Sequence, residues 1–323
     1  MMNTQFKSAW WLPNAHMQTI WPALCRRPVK GLNLQRERIE LPDGDFVDLD
    51  WTQANETNHA ATVLILHGLE GNIESHYAKG MLRAITQQGW RGVFMHFRGC
   101  SGEHNRLPRS YHSGDTADVA TVINMLHQRD TKIRLAAIGF SLGGNVLLKW
   151  LGETGQNNPL TAAAAISVPF ELQKTIRRVQ QGFSRLYQWH LLKSLRTRLG
   201  EKFSVQIAPI DLPPFENLQT IEEFDNQFTA PLHGFANADE YYRESSSRQY
   251  LRNITVPTLL INAKDDPFMT EDILPRSEEL SEQVQLEVTS AGGHVGFVSG
   301  KFPWQPHYWL EERVPDFLHS YLD

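Results

Sequence analysis

Ile133-Arg134-Leu135-Ala136-Ala137-Ile138-Gly139-Phe140-Ser141-Leu142-Gly143-Gly144-Asn145-Val146-Leu147-Leu148-Lys149-Trp150 is the stretch whose reading decides the fold. Leu135 to Ile138 is an apolar run with the character of a buried strand, and Val146, Leu147, Trp150 and Leu151 recur at helical spacing. Between them, Gly139-Phe140-Ser141-Leu142-Gly143 fits G-x-S-x-G. In a strand–turn–helix setting this pattern makes a sharp elbow with the serine hydroxyl raised at its tip. The turn forces the serine into an unfavourable backbone conformation, and a Cβ at Gly139 or Gly143 would crowd the strand–helix crossing. Ser141 is therefore the candidate nucleophile. The plainer alternative is an ordinary Gly-rich turn.

Outward from the elbow, strands and helices alternate. Arg36 to Leu41 and Phe46 to Trp51 alternate polar and apolar around Asp43-Gly44, the pattern of an edge hairpin. Ala61 to Leu66 reads as a central parallel strand, followed by a helix from about 75 to 88 and a strand from Val93 to Phe97. Asp115 to Gln128 reads as a helix with Asp115 in the capping position, and Ala162 to Val168 as a strand stopped by Pro169. Strands resume at Thr258 to Ile261 and Val284 to Val288, and the last helix, His307 to Leu322, is interrupted or kinked at Pro315. This alternation predicts an α/β chain with a mostly parallel sheet flanked by helices. Between about 170 and 250 only amphipathic helical stretches occur, which predicts a helical cap inserted over the sheet. Its apolar residues, Phe183, Leu186 and Trp189 among them, are expected to face the site. Residues 1–34, rich in Trp and Pro, read as an irregular arm packed on the body, with peripheral lipid contact as the alternative.

Composition narrows the functions. The chain has 323 residues, which suits one large domain, and 41% hydrophobic residues provide for a sizeable core. A net charge of −5 gives no electrostatic basis for a nucleic-acid partner. Two cysteines, Cys25 and Cys100, fit a reducing compartment rather than a disulfide framework. No apolar run approaches the length of a membrane span, and the N-terminus lacks signal-peptide character, so a cytoplasmic protein is expected. The thirteen histidines are scattered without metal-ligand spacing, so neither metal nor cofactor is expected.

A serine nucleophile needs a base, a carboxylate to orient it and donors for the oxyanion. The strand Thr258 to Ile261 leads into Asp265-Asp266-Pro267, and the strand Val284 to Val288 leads into Gly292-Gly293-His294. Both lie past the carboxyl ends of strands, where open α/β sheets hold their ligands. His294 is the candidate base. Spacing leaves Asp265 and Asp266 equally open as the orienting acid. The expected oxyanion donors are the backbone N–H of Leu142, next after the serine, and of Leu69, in the loop His67-Gly68-Leu69-Glu70-Gly71. His67 reads as a residue that holds this loop, with a second base as the alternative. Arg98-Gly99-Cys100-Ser101-Gly102 falls on the same rim, where it reads as a turn or a substrate contact.

Together with Asn14-Ala15-His16-Met17-Gln18-Thr19-Ile20 and Tyr111-His112-Ser113-Gly114, these motifs resemble the α/β-hydrolase superfamily, most closely its AB hydrolase 4 branch of esterases and lipid hydrolases. The resemblance spans nearly the whole chain. It implies an α/β-hydrolase fold and a triad of Ser141, Asp266 and His294, with Asp266 chosen because the superfamily's acid stands directly before the turn that here begins at Pro267. The expected function is that of a serine carboxylesterase acting on a small-molecule acyl ester. A lipase or phospholipase, and a ligand-binding protein without turnover, are the alternatives.

Overall fold

The structure is a computed structural model that describes residues 6–53, 61–212 and 214–323. Eight strands form one sheet: β1 (Leu34–Glu40), β2 (Phe46–Thr52), β3 (Ala61–Leu66), β4 (Arg91–His96), β5 (Arg134–Phe140), β6 (Ala162–Ile166), β7 (Thr258–Ala263) and β8 (Val284–Thr289). Their order is β1-β2-β4-β3-β5-β6-β7-β8. The β1–β2 and β2–β4 pairings are antiparallel, and all others are parallel. The sheet is thus mostly parallel.

The helices outside the 170–250 segment are α1 (Ala15–Cys25), α2 (Ala78–Gln87), α3 (Thr116–Arg129), α4 (Leu142–Thr154) and, at the end of the chain, Leu310–Leu322. Every residue of β3 is buried, and alternate side chains feed two cores. Leu64 and Leu66 join α3 and α4 through Val122, Ile123, Val146 and Leu147. Val63 and Ile65 join α2 and the last helix through Met81, Ile85, Val314 and Leu318. This is the period-two signature of a strand covered on both faces. At the exposed edge, Arg36 and Arg38 of β1 each pair with an aspartate of β2, Asp50 and Asp48. Such charges discourage further strand addition.

Between β6 and β7 lie α5 (Leu172–Val179), α6 (Arg185–Val205), α7 (Ile221–Phe224), α8 (Ala230–Leu232) and α9 (Ala238–Ser245). α5 to α8 share an apolar cluster of their own, centred on Leu192, Leu199, Ile221 and Phe228, and α9 joins α5 and α8 in a second one around Tyr241 and Tyr242. The last helix is therefore α10 (Leu310–Leu322), and it runs on through Pro315 rather than breaking there. No helix among the described residues is long and apolar enough to cross a membrane.

Several local expectations are corrected. The arm 1–34 is not irregular throughout, because it contains α1, capped by the Asn14 side chain on the Met17 N–H at 3.0 Å. Asp115 stands at the N-cap of α3 but does not cap it; its carboxylate pairs with Arg109 at 2.7 Å. A two-stranded hairpin, β9 (Val298–Phe302) and β10 (Gln305–Tyr308), precedes α10, where the sequence suggested the helix had already begun.

Candidate active site

β3 lies between β4 and β5, so the chain leaves its carboxyl end toward one side while the next strands build on the other. Such a switch point opens a crevice at the strand ends. Leu66 is in register with Gly139, which sets the Leu69 loop beside the Ser141 elbow in that crevice. Ser141 has φ 50° and ψ −117°, a strained conformation for a residue with a side chain. A Cβ on Gly139 would lie 2.6 Å from the Gly143 carbonyl oxygen, and one on Gly143 would lie 2.5 Å from the His67 carbonyl oxygen. Only glycine fits at either position. The elbow helix is held by buried Asn145, whose amide donates to the Ser113 and Ser245 carbonyls and accepts the Ser247 N–H.

The loops after β7 and β8 meet this elbow. His294 Nε2 lies 3.0 Å from Ser141 Oγ, and His294 Nδ1 lies 2.8 Å from Asp266 Oδ2. A carboxylate accepts only, so Nδ1 carries the proton and Nε2 is left to accept from the serine hydroxyl. The other Asp266 oxygen accepts the Phe268 N–H at 2.8 Å, which fixes the carboxylate. The Phe268 ring stacks on the imidazole with centroids 4.1 Å apart. Asp265 points elsewhere: its Oδ1 accepts the Gly293 N–H at 3.0 Å, and burial pushes its carboxyl group up from the ordinary value.

Leu142 follows Ser141, and the loop that carries Leu69 lies against the serine, since a Cβ on Gly68 would stand 3.2 Å from Ser141 Cβ. Among the described residues neither the Leu69 nor the Leu142 N–H is engaged by a partner. His67 is a structural residue. Its Nδ1–H donates to the Gly68 carbonyl, its Nε2 accepts the Phe97 N–H, and complete burial pushes it down to about 3, so it stays neutral. Arg98 is likewise spent within the fold, buried against Asp118 and Asp45. Burial raises the Cys100 thiol far above its ordinary value, which makes it a poor nucleophile. No cluster of His, Cys, Asp or Glu among the described residues is arranged to hold a metal.

The N-terminal motif Asn14–Ile20 carries no chemistry legible in its own residues. In the fold, α1 packs on the histidine loop. Thr19 Oγ1 accepts the His294 N–H at 2.9 Å, and buried Gln18 bonds both the N–H and the carbonyl of Val298. A Cβ on Gly293, which has φ +61°, would meet the Ala15 carbonyl oxygen at 2.6 Å. The motif was visible, but its partners are more than 270 residues away, and no local pattern encodes that distance.

A cavity of ≈ 90 Å³ reaches the site through Leu69 and Leu142 and is lined on the helical side by Ile176, Leu195, Ile221 and Phe224; Ser141 and His294 themselves do not line it. Phe183, Leu186 and Trp189, expected to face the site, do not line it and are 52%, 48% and 58% exposed. The inward seam of α6 runs Gln188, Leu192, Leu195, Leu199, Lys202 at alternating spacings of four and three. Polar residues occupy both ends of that seam because each has a partner. Gln188 accepts the Ile221 N–H, and Lys202 donates to Asn105 Oδ1 and the Arg109 carbonyl.

A sheet of this order with a serine elbow and a histidine–carboxylate pair at its carboxyl edge defines the α/β hydrolases, and a family model described as the alpha/beta hydrolase fold matches residues 61–301. The chain belongs to that family. It is 44% identical to the protein named "Putative esterase YheT" of Escherichia coli (strain K12), over 313 residues that cover 96% of this chain and 92% of that protein. Phospholipase ABHD3 of Bos taurus is 29% identical over 328 residues, covering 99% of this chain and 79% of its own length. Among solved structures, the Pyrococcus furiosus esterase Pf2001 superposes with a TM-score of 0.59 at 20% identity, covering 92% of this chain and 97% of its own. At that identity the likeness is one of fold alone.

Proposed function

We propose that this protein is a carboxylic ester hydrolase that works through an acyl-enzyme on Ser141. The observation that carries the reading is His294, within hydrogen-bond distance of Ser141 Oγ on one ring nitrogen and of Asp266 on the other. His294 takes the serine proton as Oγ attacks the acyl carbonyl. Asp266 holds the imidazole in the required tautomer and stabilises its positive form. The Leu69 and Leu142 N–H groups donate to the oxyanion, and their worth is greatest in a site screened from water. His294 then protonates the departing alcohol, and water, activated by the same imidazole, releases the acid. Two cysteines without a disulfide suit the cytoplasm as its site of action. Mixing enzyme with excess p-nitrophenyl acetate and following the first turnovers is expected to release about one equivalent of p-nitrophenol per enzyme in a burst before the slower steady rate set by deacylation. Complete absence of p-nitrophenol release would instead favour a binding protein.

Residues 170–250 act as a cap in this reading, and the cavity beneath them receives the acyl group. Shortening Leu195 or Ile221 to alanine is expected to shift the preference toward longer acyl chains, with acetate turnover changed by less than about threefold, since a methylene in an apolar pocket is worth about 1–3 kcal/mol. Phe183→Ala is expected to leave the chain-length profile intact, because its side chain lies outside the cavity. A series of p-nitrophenyl esters from acetate to decanoate measures this. The same series addresses a lipid substrate, the second reading, which the apolar lining and the relative named a phospholipase favour.

A further inference from the structure

The loop that carries Leu69 is held in an unusual way. The N–H groups on either side of Leu69 are each tied to a tyrosine hydroxyl: Gly68 N–H to Tyr77 at 2.9 Å and Glu70 N–H to Tyr111 at 2.9 Å. The N–H between them is left unengaged among the described residues, and Leu69 borders the cavity. This arrangement requires Glu70 to adopt φ +58°, a left-handed conformation that costs a non-glycine residue about 1–3 kcal/mol. Its side chain offsets that cost. The Glu70 carboxylate is almost fully buried and accepts the Tyr111 hydroxyl at 3.0 Å and the Ser194 hydroxyl at 2.9 Å, and it forms an ion pair with Arg198. Ser194 and Arg198 both belong to α6, the long helix of the cap. Arg198 also reaches the Tyr111 hydroxyl at 3.3 Å, so one network closes on both the backbone and the side chain of Glu70.

We infer that Glu70 is a positioning residue: it locks the Leu69 N–H in oxyanion-binding orientation, and the cap closes the lock through Arg198 and Ser194. The inference rests on the ester-hydrolase reading above. It gives the cap a second task beside shaping the acyl pocket. With α6 seated, Glu70 keeps all its partners and the oxyanion hole is complete. With α6 displaced, the carboxylate loses two of its three side-chain partners, and the strained residue next to the donor is released. Ester turnover therefore requires the cap to be docked, even for an acetate that hardly fills the pocket.

Glu70→Gln keeps the shape and removes the charge that pairs with Arg198, while Tyr111→Phe removes the hydroxyl that serves both the N–H and the carboxylate. Each is expected to lower kcat on p-nitrophenyl acetate about tenfold or more, with KM within about threefold, because the loss falls on the transition state. A trifluoromethyl ketone labelled with ¹³C at its carbonyl gives a spectroscopic readout that a purely structural role would not move. Its adduct on Ser141 is a hemiketal oxyanion, and its titration is expected to move up by about one pH unit or more in both variants relative to the wild type. Ser194→Ala, a milder change made in case the buried variants do not fold, is expected to move kcat and the titration in the same directions by about two- to fivefold. The inference is overturned if folded Glu70→Gln and Tyr111→Phe keep kcat within twofold. It is also overturned if kcat falls while the hemiketal titration stays at the wild-type value, or if Ser194→Ala matches the wild type in both. A wild-type enzyme that releases no p-nitrophenol would instead remove the reading on which the inference rests.

Discussion

Ser141→Ala is expected to lower kcat on a soluble ester by on the order of 10⁴- to 10⁶-fold, the range seen when a serine hydrolase loses its nucleophile. The substitution deletes one oxygen. It leaves the elbow held by the Ser141 N–H on the Ile166 carbonyl at 2.8 Å and by the Asn145 N–H on the Ser141 carbonyl at 3.0 Å. It also leaves the Leu69 and Leu142 donors in place. The melting temperature should therefore move by no more than a few degrees, equivalent to about 1 kcal/mol for the lost hydrogen bond. Residual turnover at that level would come from the oxyanion donors acting on water attack, and it would carry no burst.

The second large effect separates two neighbouring carboxylates. Asp266→Asn is expected to lower kcat about ten-thousandfold, the loss found when a serine protease's orienting aspartate becomes an amide and the imidazole adopts the wrong tautomer. Asp265→Asn is expected to keep kcat within several-fold of the wild type. Its oxygen can still accept the Gly293 N–H, and an amide avoids the burial penalty that raises the Asp265 carboxyl group. Measuring kcat on one soluble ester, with melting temperature as the folding control, tests the pair. A dead Asp265→Asn beside an active Asp266→Asn would reverse the assignment. Two active variants would mean that another carboxylate orients His294.

The difference between these aspartates also marks how far the sequence could be read. Neighbouring residues leaving a strand face opposite ways, so either could have met His294. The resemblance favoured Asp266, and the fold brings Asp266 to the imidazole and Asp265 to the loop that carries it. The elbow was legible because its glycines are a steric requirement written in five consecutive residues. The central strands were legible because full burial on both faces demands unbroken apolar runs such as Ala61–Leu66.

Long-range supports were not legible. Gln18 and Thr19 sit on an eleven-residue helix with Pro22 inside it, and nothing nearby announces that they will hold the turn at His294. The inward seam of α6 is not marked by apolar periodicity, because Gln188 and Lys202 are buried by virtue of their partners, whereas Leu186 and Trp189 are exposed. Nothing in the residues around Glu70 marks it out within its loop. Its partners depend on a left-handed backbone and on α6, more than 120 residues away.

The central claim, an activated hydroxyl on Ser141, is tested most directly by a fluorophosphonate and the intact mass of the protein. An Oγ activated by His294 attacks phosphorus as it attacks an acyl carbonyl, whereas an ordinary serine does not. The expected result is one adduct per chain, mapped by peptide mass to residue 141 and absent from Ser141→Ala. His294→Ala should slow its formation by several orders of magnitude. An unmodified wild-type chain, or an adduct that persists in Ser141→Ala, would contradict the account.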